Sequence, residues 1–243
     1  MAENEFFRLW VYLSASPLLG LTATLIAYQS AYALYRYAGN NPLLNPVAIS
    51  VLFLIALLML TDTPYTEYFE GAQFVHFLLG PATVALAVPL YKQLNKLRTL
   101  WLPLVTALLV GVAFAGLSAV GIAMALGASK ATLLSLAPKS VTAPIAMGVA
   151  EKIGGLPSLT AALVVITGIV GAVIGTKVFD LMRIKDDSIR GFSLGLTSHG
   201  IGTARAFQQS EEMGAFSGLA MALSAFTTAI ILPWLLSLLG IID

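Results

Sequence analysis

The sequence predicts an all-α fold, a polytopic bundle of transmembrane helices in which some segments are broken or re-entrant. Of the 243 residues, 58% are hydrophobic and 10% are charged, whereas an ordinary soluble domain has about 25% charged residues. Apolar runs close to the roughly 20 residues that a membrane-spanning helix needs recur along the whole chain. These runs are continuously apolar, while the strands of a membrane barrel alternate apolar and polar residues.

Eight hydrophobic segments follow one another, and no stretch between them is long enough to fold as a separate soluble domain. We therefore predict a single membrane domain over residues 1–243. The first segment follows a start with two acids and one base, unlike the basic start of a secretory signal, so we expect it to be retained as a helix. The predicted segments are 9–35, 43–60, 69–90, 100–126, 133–150, 159–182, 191–207 and 216–242.

Charged loops predict how these segments are oriented. The loops after segments three and six are basic, and basic loops tend to lie on the cytoplasmic side. Three full crossings between these loops would place them on opposite sides. We therefore expect segment five, which contains Pro138 and Pro144, to be re-entrant or broken; the alternative is that the charge rule fails for this chain. The bases of the two loops are Lys92, Lys96, Arg98, Arg183, Lys185 and Arg190.

Two proline-containing stretches resemble each other and suggest an internal repeat. Leu79-Gly-Pro-Ala-Thr-Val-Ala and Leu136-Ala-Pro-Lys-Ser-Val-Thr share the pattern Leu-x-Pro-x-(Thr/Ser)-Val. Proline interrupts the helical hydrogen-bond ladder at both places. Interrupted segments in two parts of a chain are typical of a transporter binding site, which makes Thr83 a candidate site residue. The alternative is a chance similarity in a very apolar chain.

The first cluster of polar residues lies between Pro138 and Pro144. Lys139, Ser140 and Thr142 interrupt an otherwise apolar segment. If a half-helix begins here, its free N–H groups and the positive end of its dipole favour an anion. The alternative is that Lys139 extends from a helix end to the membrane interface.

The second cluster lies in segment seven. On a continuous helix, Gly191, Gly195, Ser198, Gly202 and Arg205 would share one face, where small residues permit close helix packing. The polar candidates are too polar to face lipid, and an arginine can bind a carboxylate through two hydrogen bonds. An imidazole here could bind substrate or carry a proton. The alternative is that the glycines only pack against neighbouring helices and that Arg205 only ends the helix. The candidate binding residues are Ser198, His199, Thr203 and Arg205.

Composition argues against several other functions. The chain has no cysteine and only two histidines, His76 and His199, so we expect neither a metal nor another cofactor. Ser198 and His199 are adjacent and diverge on a helix, which argues against a hydrolase and leaves no catalytic residue. No basic patch suggests a nucleic-acid partner. The intramembrane polar groups are cationic or hydroxyl-bearing, so we expect a small anion as the ligand.

Two of these stretches resemble the signature sequences of the LrgB/CidB family. They are Pro138-Lys-Ser-Val-Thr-Ala-Pro-Ile-Ala146 and Ser198-His-Gly-Ile-Gly-Thr-Ala-Arg205, and residues 79–91 resemble a third. The resemblance extends from about Pro17 to Trp234. It departs from the family pattern at Ala143, where relatives carry a hydroxyl.

The resemblance implies two alternative functions. Bacterial members are described as holin- or antiholin-like regulators of murein hydrolases and lysis. Plastid members move glycolate and glycerate, and some bacterial members with a small LrgA/CidA-like partner are associated with pyruvate. We expect a multi-pass carrier in a bacterial inner membrane, surrounded by the lipid bilayer. We expect it to carry a small carboxylate anion by alternating access. We also expect it to form a homodimer and to associate with a small LrgA/CidA-like partner. A structural scaffold is a third possibility.

Overall fold

Helices make up the architecture that the sequence predicts. The computed structural model describes residues 17–41 and 44–242, and no strand occurs among them. In chain order the helices are α1 (Pro17–Tyr37), α2 (Pro46–Leu60), α3 (Tyr65–Phe77), α4 (Leu79–Ala85), α5 (Ala87–Lys92), α6 (Leu94–Ala125), α7 (Lys130–Leu136), α8 (Ala143–Ile153), α9 (Pro157–Leu181), α10 (Asp187–Phe207) and α11 (Glu211–Leu238).

Four candidate membrane spans occur within the described residues. They are long and apolar enough to cross a bilayer by length and composition, as expected for an all-α polytopic membrane protein. Residues 9–16 of the first predicted segment lie outside the described part of the chain. The candidate spans are Tyr65–Lys92, Leu94–Ala125, Pro157–Leu181 and Glu211–Leu238.

The chain divides into two compact units, Met1–Ala85 and Leu86–Asp243. In the first unit, α1 and α3 pack closely, because a Cβ added at Gly20 would lie 2.4 Å from the Tyr68 carbonyl oxygen. The hydroxyls of Thr24 and Tyr68 are 2.6 Å apart across this contact. The expectation of one domain over 1–243 stays a prediction.

In the second unit, segment five is broken, as predicted. Helix α7 ends at Leu136, residues 137–142 form a turn, and α8 begins at Ala143. The two arms pack side by side, with Leu134, Val149 and Ile153 in one buried cluster. Helix α8 ends at Ile153 and is capped by Gly154, whose φ of +88° suits a residue without a side chain. We call residues 130–153 hairpin A.

Segment seven contains a break that the sequence analysis missed. The backbone of His199 is not helical, with φ of +42° and ψ of −134°. A Cβ added at Gly202 would lie only 2.7 Å from the Leu194 carbonyl oxygen, although eight residues of straight helix span about 12 Å. At the open end, Ser210 donates a hydrogen bond of 2.5 Å to Asp187. Helix α10 is therefore folded back on itself, and we call it hairpin B.

This reversal corrects the prediction that five residues share one helix face. Gly191, Gly195 and Ser198 belong to the first arm of hairpin B, whereas Gly202 and Arg205 belong to the second. The prediction was wrong because glycine spacing does not reveal a left-handed residue inside an apparently regular helical sequence.

The first arm of hairpin B runs parallel to α11, and the second arm runs antiparallel to it. Added Cβ atoms at Gly191 and Gly195 would lie about 2 Å from the carbonyl oxygens of Met213 and Ser217, respectively. On the second arm, Phe207 packs against Gly214. The small residues let the backbones approach closely, as membrane helices do.

The two hairpins enter the second unit from opposite ends. Along α11, Phe216 packs with hairpin B and Leu236 with hairpin A. Along α6, Leu108 packs with hairpin B and Val120 with hairpin A. The hairpin tips therefore approach each other near the middle of these long helices.

The two basic loops lie at the same end of the second unit, as predicted. Lys96 Nζ is 3.0 Å from Asp186 and 2.7 Å from Glu212, which joins the start of α6 to the loop before α10 and to α11. Hairpin A, which lies between these loops, begins and ends beside one cavity, because Lys130 and Lys152 both border it. The assignment of this end to the cytoplasmic side stays a prediction.

Candidate functional site

The tip of hairpin A is an irregular turn between two half-helices. Pro138 lies within the turn and Pro144 in the first turn of α8, where proline is tolerated. Thr142 is the N-cap residue, but its side chain makes no capping hydrogen bond. The first N–H groups of α8 therefore have no cap from this hydroxyl, and the positive end of its dipole lies at the tip.

Lys139 and Ser140 project from this turn. Lys139 is half-buried, and its Nζ lies 3.4 Å from Ser140 Oγ. Ser140 also borders a small cavity of about 10 Å³, which is room for about one water molecule. Leu196 of hairpin B, Gly116 of α6 and Thr228 of α11 border the same cavity.

The tip of hairpin B is formed by His199. Its side chain is buried, and Nε2 lies 2.9 Å from the Val164 carbonyl oxygen of α9, which accepts the hydrogen bond. Gly168 leaves room for this imidazole, because an added Cβ would lie 2.7 Å from His199 Cε1. A non-glycine residue with positive φ is uncommon, so these contacts help to maintain a costly backbone conformation.

Val164 connects the two tips. Its side chain packs with Val141 and Ala146 of hairpin A, and its carbonyl oxygen accepts the hydrogen bond from His199 of hairpin B. Ser198 is fully buried against α9, where an added Cβ at Gly171 would lie 1.7 Å from its Oγ. The structure thus brings five predicted site residues to adjoining tips: Lys139, Ser140, Thr142, Ser198 and His199.

Thr203 and Arg205 lie further along hairpin B than its tip, and Thr83 belongs to the other compact unit. Thr203 is one turn beyond the tip of hairpin B, and its hydroxyl donates 2.9 Å to the His199 carbonyl and lies 3.0 Å from Ser217 Oγ. Arg205 lies further toward the open end, where Nη1 donates 3.1 Å to Gln208. Thr83 is in α4 of the first unit, and its side chain lies outside the described residues.

Thr228 is a further candidate residue that the sequence analysis missed. It is 6% exposed and borders the small cavity, and it makes no hydrogen bond within the described ranges 17–41 and 44–242. A buried hydroxyl normally has a partner. Hydroxyl residues recur in the apolar helix α11, and this recurrence could have identified the position. They are Ser217, Ser224, Thr227, Thr228 and Ser237.

Electrostatic contacts hold the open end of hairpin B. Asp186 caps α10 by accepting hydrogen bonds from the N–H groups of Ser188 and Ile189. A hydrogen bond from the Ser188 hydroxyl, assisted by Lys96, lowers the pKa of Asp186 to about 2. This carboxylate is therefore ionised at neutral pH and joins hairpin B to α6.

Comparison with known proteins identifies the family. The model of the LrgB-like family matches residues 24–238. The chain belongs to the LrgB-like family. This membership confirms the resemblance that the motifs at 138–146 and 198–205 carry. No solved structure matches the chain.

Three LrgB-like relatives show how far the similarity extends. The chain is 37% identical to the uncharacterized protein YwbG of Bacillus subtilis (strain 168) over 220 residues, covering 90% of this chain and 97% of the relative. It is 28% identical to the antiholin-like protein LrgB of Bacillus cereus (strain B4264) and to that of Bacillus anthracis (strain CDC 684 / NRRL 3495). These two matches cover 93% of this chain and 98% of each relative.

Proposed function

We propose that this LrgB-like protein is a carrier that binds a small monocarboxylate, of the glycolate, glycerate or pyruvate class, where the tips of hairpins A and B adjoin. The observation that supports the proposal is the contact of both tips with Val164. Transporters commonly bind substrate near the membrane midplane, where discontinuous helices end. Two hairpins from opposite ends suit alternating access.

The polar groups at the tips match the chemistry of a carboxylate. Lys139 would supply positive charge, and the N-terminus of α8 would supply N–H donors. Ser140, Thr142 and Ser198 would replace part of the water that the anion loses, which matters because an unpaired buried charge is very costly. Arg205 would attract the anion nearer the open end of hairpin B. Proton coupling through His199 is a hypothesis, which uptake independent of a proton gradient would reject.

An antiholin-like regulator is the second candidate, and the comparisons favour it over the carrier. The relatives from Bacillus cereus and Bacillus anthracis are named antiholin-like protein LrgB. In either case we propose a multi-pass location in a bacterial inner membrane, a homodimer, and a small LrgA/CidA-like partner. Neither candidate requires catalysis by this chain.

Uptake into liposomes distinguishes the two candidates. Labelled glycolate, pyruvate and glycerate are offered to the reconstituted full chain and to its Lys139→Ala and Arg205→Ala variants. A carrier saturates, prefers one acid and loses most of its flux in Lys139→Ala. Lys177→Ala, an exposed lysine of α9, is the control. Equal, non-saturating flux of all three acids, unchanged in both test variants, would reject the carrier.

A further inference from the structure

A second cavity lies at the open end of hairpin A, which is the end opposite its tip. Its volume is about 540 Å³, within the range of small-molecule sites. The start of α7 and the end of α8 both border it, and its lining residues are Lys130, Ala131, Leu134, Lys152, Ile153, Gly154 and Ile242. The lining thus contains two lysines and no acid among the described residues.

The two lysines stand on opposite arms of hairpin A. Lys130 is the first residue of α7, and Lys152 is in the last turn of α8. Neither makes an ion pair or a hydrogen bond within the part of the chain that the structure describes. By contrast, Lys92 and Lys96 at the other end of the unit are paired with Glu211, Glu212 and Asp186.

Hairpin A separates this cavity from the small cavity at the tips. Leu134 borders the large cavity, whereas Ala137 and Pro138, directly after α7, border the small one. A solute in the large cavity is thus one short half-helix away from Lys139. Cations around a concave surface with apolar walls raise the local concentration of anions.

We propose that the cavity at the open end of hairpin A is an anion-binding vestibule, in which Lys130 and Lys152 together attract a small carboxylate. The substrate class rests on the proposed carrier function, whereas the attraction of anions does not. The vestibule would supply anions to the tips when hairpin A opens. Leu134 and Ile153 give it an apolar floor that suits a short carbon chain.

Thiol labelling of one introduced cysteine tests the vestibule. The chain has no cysteine, so Ala131→Cys gives a single reactive group in the cavity wall. The measured quantity is the ratio of its labelling rates with a negatively charged and a positively charged methanethiosulfonate, in phosphatidylcholine nanodiscs at low salt. We expect this ratio to exceed that of a free thiol by about tenfold. In Lys130→Ala/Lys152→Ala it should fall to the free-thiol value.

Matched variants separate a local field from net charge. Arg98→Ala/Lys177→Ala also removes two exposed cations, but not from this cavity, and is expected to leave the ratio unchanged. Glu151→Gln, next to Lys152, is expected to raise it. Equal ratios in the two double variants would overturn the proposal.

The identity of the anion is tested in the same nanodiscs. Glycolate is expected to slow labelling of Ala131→Cys more than chloride does at equal ionic strength, and this protection should disappear without the two lysines. Protection by added phosphatidylglycerol, but not by glycolate, would overturn the carboxylate assignment. Labelling needs no transport. If glycolate protects Ala131→Cys but the protein shows no saturable uptake, the vestibule proposal stands and the proposed carrier function fails.

Discussion

Glycines determine how closely hairpin B approaches α11, and their replacement tests this packing residue by residue. A Cβ at Gly195 would lie 2.0 Å from the Ser217 carbonyl oxygen, so backbone must move. We expect Gly195→Ala to destabilise the protein by about 1–3 kcal/mol, measured as a lower midpoint of thermal unfolding in detergent. Gly121→Ala on α6 has nothing within 4 Å and should match or exceed the wild-type midpoint; equal losses would contradict the close packing.

Thr228 offers a test of the small cavity at the tips. Because its hydroxyl has no hydrogen-bond partner in the described protein, we expect it to bind a substrate oxygen. Thr228→Val should raise the KM for glycolate by about tenfold, as the loss of one hydrogen bond of about 1.4 kcal/mol implies. Thr228→Ser should restore most of the affinity. A Thr228→Val protein with unchanged KM would remove this hydroxyl from the site.

Asp186 predicts a loss of stability in acid. Its folded pKa of about 2 is lower than its ordinary value of 3.8, so its stabilising contribution is complete above pH 3.8 and disappears as the pH falls through 2. As the pH falls from 3.8 to 2, we expect the thermal unfolding midpoint of the wild type to decrease more than that of Asp186→Asn. Parallel pH profiles of the two proteins would show that the carboxylate contributes nothing here.

At the scale of the element, the reversal inside hairpin B makes a geometric prediction. Asp187 and Ser210 are in hydrogen-bond contact, whereas a straight helix between them would separate them by about 30 Å. Asp187→Cys/Ser210→Cys should therefore form an intramolecular cross-link through a short bifunctional methanethiosulfonate, detected by a mobility shift that a reductant reverses. Asp187→Cys/Ser198→Cys, along one arm, should form none. The opposite pattern would require a continuous helix.

The two hairpins differ in how much of them the sequence predicts. Hairpin A is recognisable because Pro138 and Pro144 remove backbone donors within an apolar run, and the basic loops on both sides require a segment that does not cross. Hairpin B has no proline. Its reversal depends on His199, whose left-handed backbone is stabilised by the tertiary contact with Val164, so local sequence carries little of the signal.

The same limit applies to the candidate site. Lys139, Ser140 and His199 are recognisable as polar residues in apolar surroundings. The distance of Arg205 from the tip was not recognisable, because it follows from the reversal. Thr228 was missed because one more hydroxyl in a long apolar helix is unremarkable until a cavity is found beside it.

At the scale of the whole second unit, three long helices surround two hairpins that enter from opposite ends. The ion pairs lie at the end where hairpin B enters, and the core cluster of hairpin A lies at the other end. Under the proposed carrier function, a site between the tips would need one route past each hairpin, as alternating access requires. An antiholin-like regulator has no need for a ligand between the tips, so occupancy of the tips separates the two candidates.

Protection of a cysteine at the tip of hairpin A tests this occupancy most directly. Ser140→Cys is labelled in proteoliposomes with and without glycolate, and Thr99→Cys, exposed near the start of α6, is the control. We expect glycolate to slow the labelling of Ser140→Cys at the concentrations that saturate uptake, and to leave Thr99→Cys unchanged. Labelling of Ser140→Cys at the same rate with and without saturating glycolate would contradict a carboxylate site between the tips.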